Sequence, residues 1–81
     1  MNNDFLRPGV YRHFKGNYYR LLDTARHSET LEPMVVYRAL YGEHGLWVRP
    51  AAMWTQAVLH EGRTMQRFTF VGTNLPEGVT E

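Results

Sequence analysis

The run MVVYRALYG, residues 34–42, constrains the fold more than any other feature of the chain. It is β-branched and aromatic and meets no breaker until Gly42, which favours a pleated strand. Similar runs recur at short, regular intervals, each closed by turn residues. GVYRHF (9–14) alternates as a strand after Pro8-Gly9, and Gly16-Asn17 is a two-residue hairpin signal. YYRLLDTARH (18–27) then returns, and with Gly16 and Asn17 as the loop Phe14 faces Tyr19 and Arg12 faces Leu21. SETLEP (28–33) is a polar connection closed by Pro33. After the turn GEHG (42–45), LWVR (46–49) is a strand that Pro50 ends, and PAAMW (50–54) reads as one 3₁₀ turn. TQAVLH (55–60) resumes as strand, Glu61-Gly62 turns it, and TMQRFTFVG (64–72) pairs back. Trp47 and Tyr37 each lie in a strand rich in apolar neighbours, and one or the other is the expected core anchor.

This spacing predicts an all-β fold: a small SH3-like barrel of five to six short antiparallel strands with one 3₁₀ turn. A length of 81 residues fits a single domain over residues 1–81, with an ordered core about 8–72 and mobile tails. There is no cysteine, which removes thiol catalysis, thiolate metal sites and disulfides and fits a cytoplasmic location. The start MNNDFLRPGV has neither the charge nor the apolar run of a signal peptide. No apolar run approaches the roughly 18 residues of a membrane span, so no membrane partner is expected. The formal net charge is only +1. Residues 5–72, however, hold nine basic against five acidic side chains, and every basic residue except Lys15 is arginine. Arginine presents a planar fork suited to carboxylate or phosphate.

Three blocks bear on family: GVYRHFKGNYY, ARHSETLEPMVVYRALYG and LWVRPAAMW. They resemble the pattern GxYRHxKG, ARHSET, VVYRxLYG, WVRPxxMF of the domain of unknown function 1653 family of small bacterial proteins. Trp54 stands where that pattern has Phe. The likeness runs from residue 9 to about residue 70. It implies an SH3-type barrel and supplies no catalytic residues.

The candidate surface lies in residues 25–50, where Arg26, His27, Arg38, Tyr41, Trp47 and Arg49 fall on adjoining strands. With Gly42 opposite Gly45, Leu40 faces Trp47 and Arg38 faces Arg49. Two like charges directly opposed destabilise a sheet. They are held by an anionic ligand between them, or by Glu29, Glu32 or Asp23. A one-residue change of register would instead separate them onto opposite faces. His27 and Glu29 could give two metal ligands, but a third would have to come from His13 or His60, and nothing brings either near. Ser28 beside His27 lacks triad geometry, because strand neighbours point to opposite faces. The paired carboxylates of acid–base catalysis are not apparent. Half of the aromatics are needed in the core of so small a fold, and the rest are free to form a stacking groove. The sequence thus points to a binding module without cofactor or metal, whose Arg/aromatic surface recognises a protein segment or RNA. The alternative is a small enzyme or anionic-ligand sensor using His27, Glu29 and Arg38.

Overall fold

The computed structural model describes residues 6–81. Of the N-terminal tail expected ahead of the core at about residue 8, residues 1–5 lie outside the described residues. The elements are β1 (Gly9–His13), β2 (Tyr18–Arg26), β3 (Pro33–Ala39), β4 (Leu46–Pro50), α1 (Ala51–Trp54), β5 (Ala57–His60), β6 (Arg63–Gln66) and β7 (Phe68–Gly72). The fold is all-β with antiparallel pairing and one helical turn. Two sheets form: a five-stranded sheet in the order β4-β3-β2-β1-β7, and the hairpin β5-β6.

The two sheets do not close into a barrel. Proline explains one side of the opening. Pro50 ends β4 and leads into α1, so the chain turns away before β5 can add to the β4 edge. Arg67 explains the other side. Its N–H donates to Gln56 O at 3.2 Å and its carbonyl accepts from Phe14 N at 2.9 Å, so it bridges the sheets and separates β6 from β7. The turn after Pro50 is one turn of α-helix and not 3₁₀, closed by Thr55 N–H on Ala51 O at 3.2 Å.

Both hairpin registers differ from the sequence expectation, and loop chemistry is the cause. In the first hairpin Arg12 pairs with Tyr18 and Tyr11 with Tyr19. His13 N–H bonds Asn17 O at 2.8 Å and Gly16 N–H bonds His13 O at 2.7 Å. The loop is therefore the three residues Phe14-Lys15-Gly16, with Gly16 at φ 109°. A turn followed by a positive-φ glycine is the standard three-residue hairpin solution. In the second, Tyr37 pairs with Trp47 and Arg38 with Leu46, because Ala39 N–H reaches Gly45 O at 3.0 Å around a loop with positive φ at Gly42 and His44. The Glu61-Gly62 turn is as expected, with His60 opposite Arg63 and both loop residues at positive φ.

A bulge between Leu21 and Asp23 bends β2. One face of the large sheet is apolar: Tyr11, Leu21, Val35, Tyr37 and Phe68 are buried there and meet Ala51 and Trp54 of α1. Gly9 is required beneath this face, since a Cβ would lie 2.5 Å from the Phe70 ring and φ is 146°. Trp54 is 1% exposed and stacks on Phe68 at 3.7 Å with the planes 4° apart. Tyr37 is buried as expected. Trp47 is not: it is 59% exposed, because it sits on an edge strand beyond the cover of α1.

The core anchor is thus Trp54. Trp54→Ala should cost about 3–5 kcal/mol, whereas Trp47→Ala should change stability by less than about 0.5 kcal/mol. Urea midpoints of the two variants check this ordering.

Candidate functional site

Strand pairing gathers a set of aromatic and basic side chains at one end of the apolar face. His13 is opposite Phe68 and packs on it at 5.0 Å between ring centroids. Tyr19 meets Phe68 at 5.6 Å, Tyr37 at 5.6 Å and Tyr41 at 5.5 Å, all edge-on, as ring quadrupoles prefer. The Tyr19 and Tyr41 hydroxyls share a hydrogen bond of 2.7 Å. Over this floor stands Arg49. Its Nε donates to the Tyr37 hydroxyl at 3.4 Å, and its guanidinium lies 5.9 Å from the Tyr37 ring centroid and 5.6 Å from that of Phe68. Both distances lie within the range of cation–π attraction.

No carboxylate among the described residues neutralises the cations here. Among the described residues the ion pairs are Arg20–Glu81 and His60–Glu61, and neither involves Arg49, Arg67 or Lys15. Arg67 gives Nη2 to Gln56 Oε1 at 3.3 Å, while its Nε is buried without an acceptor. His13 registers this field. Partial burial, with Arg49, Arg67 and Lys15 nearby, holds its pKa below the usual histidine value. Its Nδ1 accepts the Lys15 N–H at 3.1 Å, which places the proton of the neutral ring on Nε2. Burial first, and then the bond to Tyr41, pushes Tyr19 well above the ordinary phenol range.

The residues singled out from the sequence divide into two groups. Tyr41, Trp47 and Arg49 come together around Tyr19 and Tyr37. Arg38 does not face Arg49. Arg49 pairs with Val35 and Arg38 with Leu46, so the two guanidiniums leave opposite faces of the sheet. The like-charge neighbour of Arg38 is Arg20, across β2 and β3. Each is held separately: Arg20 by two bonds to the Glu81 carboxylate at 2.7 and 2.9 Å, and Arg38 by His44 O at 2.9 Å. Glu29, Glu32 and Asp23 form no ion pair with either arginine. Arg26 donates to Leu31 O at 3.4 Å, and His27 Nδ1 accepts the N–H groups of Glu29 and Thr30 at 3.1 and 3.3 Å. Both therefore organise the 27–32 loop. His27 follows the Arg26–Pro33 pair, and Arg38 lies five residues further along β3, roughly 16 Å away. His27, Glu29 and Arg38 are not assembled into one site.

Sequence reasoning missed His13, Tyr19 and Arg67 as members of this set. A three-residue reading of the FKG loop, with glycine last, would have put His13 and Tyr19 on one face.

Residues 9–70 match the family described as Protein of unknown function (DUF1653). The chain belongs to the DUF1653 family. A crystal structure of a DUF1653 protein from Bordetella bronchiseptica is similar to it at 42% identity and a TM-score of 0.81, covering 88% of this chain and 94% of that one. No curated protein matches the chain. No helix among the described residues is long and apolar enough to cross a membrane.

The His13 environment makes the stability of this DUF1653 domain depend on pH. Its folded pKa lies below 6.5, so in the window beneath pH 6.5 the unfolded chain takes up the proton first. The contribution is fully present above pH 6.5 and is lost as pH falls toward the folded value. Urea midpoints should therefore drop on acidification more for the wild type than for His13→Gln, and an NMR titration of His13 should give a midpoint under 6.5.

Proposed function

We propose that this DUF1653 domain is a non-catalytic binding module that captures single-stranded RNA on the surface centred on Arg49. The observation that carries the reading is Arg49 itself, a guanidinium seated over the Tyr37 and Phe68 rings with no carboxylate partner among the described residues. A cation left unneutralised above aromatic rings is suited to a phosphate, while flat exposed rings beside it accept bases of any sequence. Trp47 at 59% and Tyr41 at 45% exposure supply such rings. Lys15 and Arg67, the other cations that act on His13, extend the basic field along the backbone path.

The scaffold fits this role. We read the open sheet, helical turn and β5–β6 hairpin as a relative of the SH3-like barrel in a single bacterial, cytoplasmic domain; such scaffolds carry many binding activities.

Fluorescence anisotropy with labelled oligouridylate and oligoadenylate tests the proposal. Arg49→Gln should weaken capture about ten-fold or more, the worth of a charge-assisted bond of roughly 1.5–3 kcal/mol, with no change in urea midpoint. The slope of log affinity against log salt should shrink by about 0.7 for each phosphate contact removed. Binding that is insensitive to salt or to Arg49→Gln would refute it. Capture of an unstructured peptide in place of RNA would reassign the surface to protein segments.

A further inference from the structure

A second concavity shares Phe68 with the Arg49 surface and is otherwise lined by different residues. It is a cleft of about 700 Å³ lined by Arg7, Tyr11, Trp54, Thr55, Gln66, Phe68 and Phe70. The volume falls in the range of small-molecule sites, and the lining follows their usual pattern of aromatic walls with a few polar groups. The stacked Trp54–Phe68 pair and the edge-on Tyr11–Phe70 pair border it, with Phe70 half-buried and the other three rings showing only their margins.

The polar groups are unequal in kind. The Tyr11 hydroxyl donates to Arg7 O at 2.8 Å, which fastens the segment entering β1 to the sheet. Thr55 Oγ1 faces the α1 carbonyls of Ala51 and Ala52 at 3.5 and 3.3 Å. Trp54, 1% exposed, keeps its Nε1–H without an acceptor. Arg7 lies flat on Phe70, its guanidinium carbon 3.8 Å from the ring centroid, and it forms no ion pair among the described residues. Stacking occupies one face of the guanidinium and leaves the N–H groups along its edge available. Those N–H groups match the two oxygens of a carboxylate in one plane. Among the described residues that line the cleft none is acidic, and Arg7 is the cation. One fork neutralises one monoanion, whereas a phosphate dianion would call for a second cation.

We infer that this cleft binds a small aromatic monocarboxylate, its ring beside the half-buried Phe70 and the exposed margins of Trp54 and Phe68, and its carboxylate on the edge of Arg7. Gln66, an exposed residue of the lining, can supply a further donor. The two sites have Phe68 in common, and neither reading needs the other.

The chain offers an internal control for the test, because its two tryptophans, Trp47 and Trp54, mark the two surfaces. Their indole N–H signals are followed by ¹H–¹⁵N NMR during titration with 2-naphthoate. The Trp54 signal should move together with the Thr55, Gln66 and Phe70 amides, while the Trp47 signal stays. For a ligand of this size a dissociation constant of about 1 mM or tighter is expected from ordinary ligand efficiencies. Arg7→Gln should weaken binding about ten-fold. 2-Naphthamide should bind the wild type more weakly by a similar factor, a comparison that needs no substitution. Arg49→Gln should leave 2-naphthoate binding unchanged. A Trp54 signal unmoved at millimolar 2-naphthoate would overturn the inference. So would equal affinity of Arg7→Gln and wild type, or of amide and acid.

Discussion

The stack of Trp54 on Phe68 is the contact on which the rest of this structure depends. The two rings lie 3.7 Å apart and nearly parallel, and they join α1 to β7 across the sheet. Tyr11 and Tyr37 abut Trp54 edge-on at 5.3 and 5.0 Å, while His13 and Tyr19 abut Phe68. A chain of 81 residues without cysteine has no covalent staple, so its stability rests on burying large rings well. The stack also underlies both proposed sites. The Arg49 surface uses Phe68 as its floor, and the cleft above Arg7 uses Trp54 and Phe68 as a wall.

Leaving the sheet open has a consequence for its edge. β4 carries Leu46, Trp47 and Val48, exposed in succession at 55%, 59% and 61%. A closed barrel would have hidden that edge. Pro50 prevents closure, and Arg49 immediately before it turns toward the core rings and makes the edge basic where it meets the aromatic face. The same short segment LWVRP therefore stops the sheet, exposes a ring and places a cation.

Much of the fold was legible because hydrophobic period and turn residues are local signals. The β3 run, the Glu61-Gly62 turn and the Pro50 break were all read where they lie. What was not legible was register. Gly16-Asn17 reads as a two-residue turn, yet the chain closes Phe14-Lys15-Gly16 with glycine last. A loop that differs by one residue with a different closing pair shifts every partner along the strand. The expected Arg38–Arg49 pair was lost in this way, and the Tyr37–Trp47 pair appeared in its place. Trp54 was undervalued for a related reason. Four residues of helix carry no periodic signal, and only three-dimensional packing turns them into the lid of a core.

The arginines then sort by face, and that sorting says more than their number. On the outer face Arg20 is closed by Glu81 and Arg38 by the His44 carbonyl, and His44 Nε2 in turn meets Thr80 O at 3.1 Å. There the segment after β7 answers the like-charge pair, and an external anion would have to displace it. On the aromatic face Arg7 and Arg49 rest on rings instead of carboxylates. A ring attracts a guanidinium through its face and leaves the edge N–H groups unsatisfied by any full negative charge. A carboxylate or a backbone carbonyl ties down the cations that serve the fold, and rings hold Arg7 and Arg49 in place while leaving their edges able to receive an anion. By that criterion the aromatic face, and not the more crowded outer face, is the one we propose as the ligand surface.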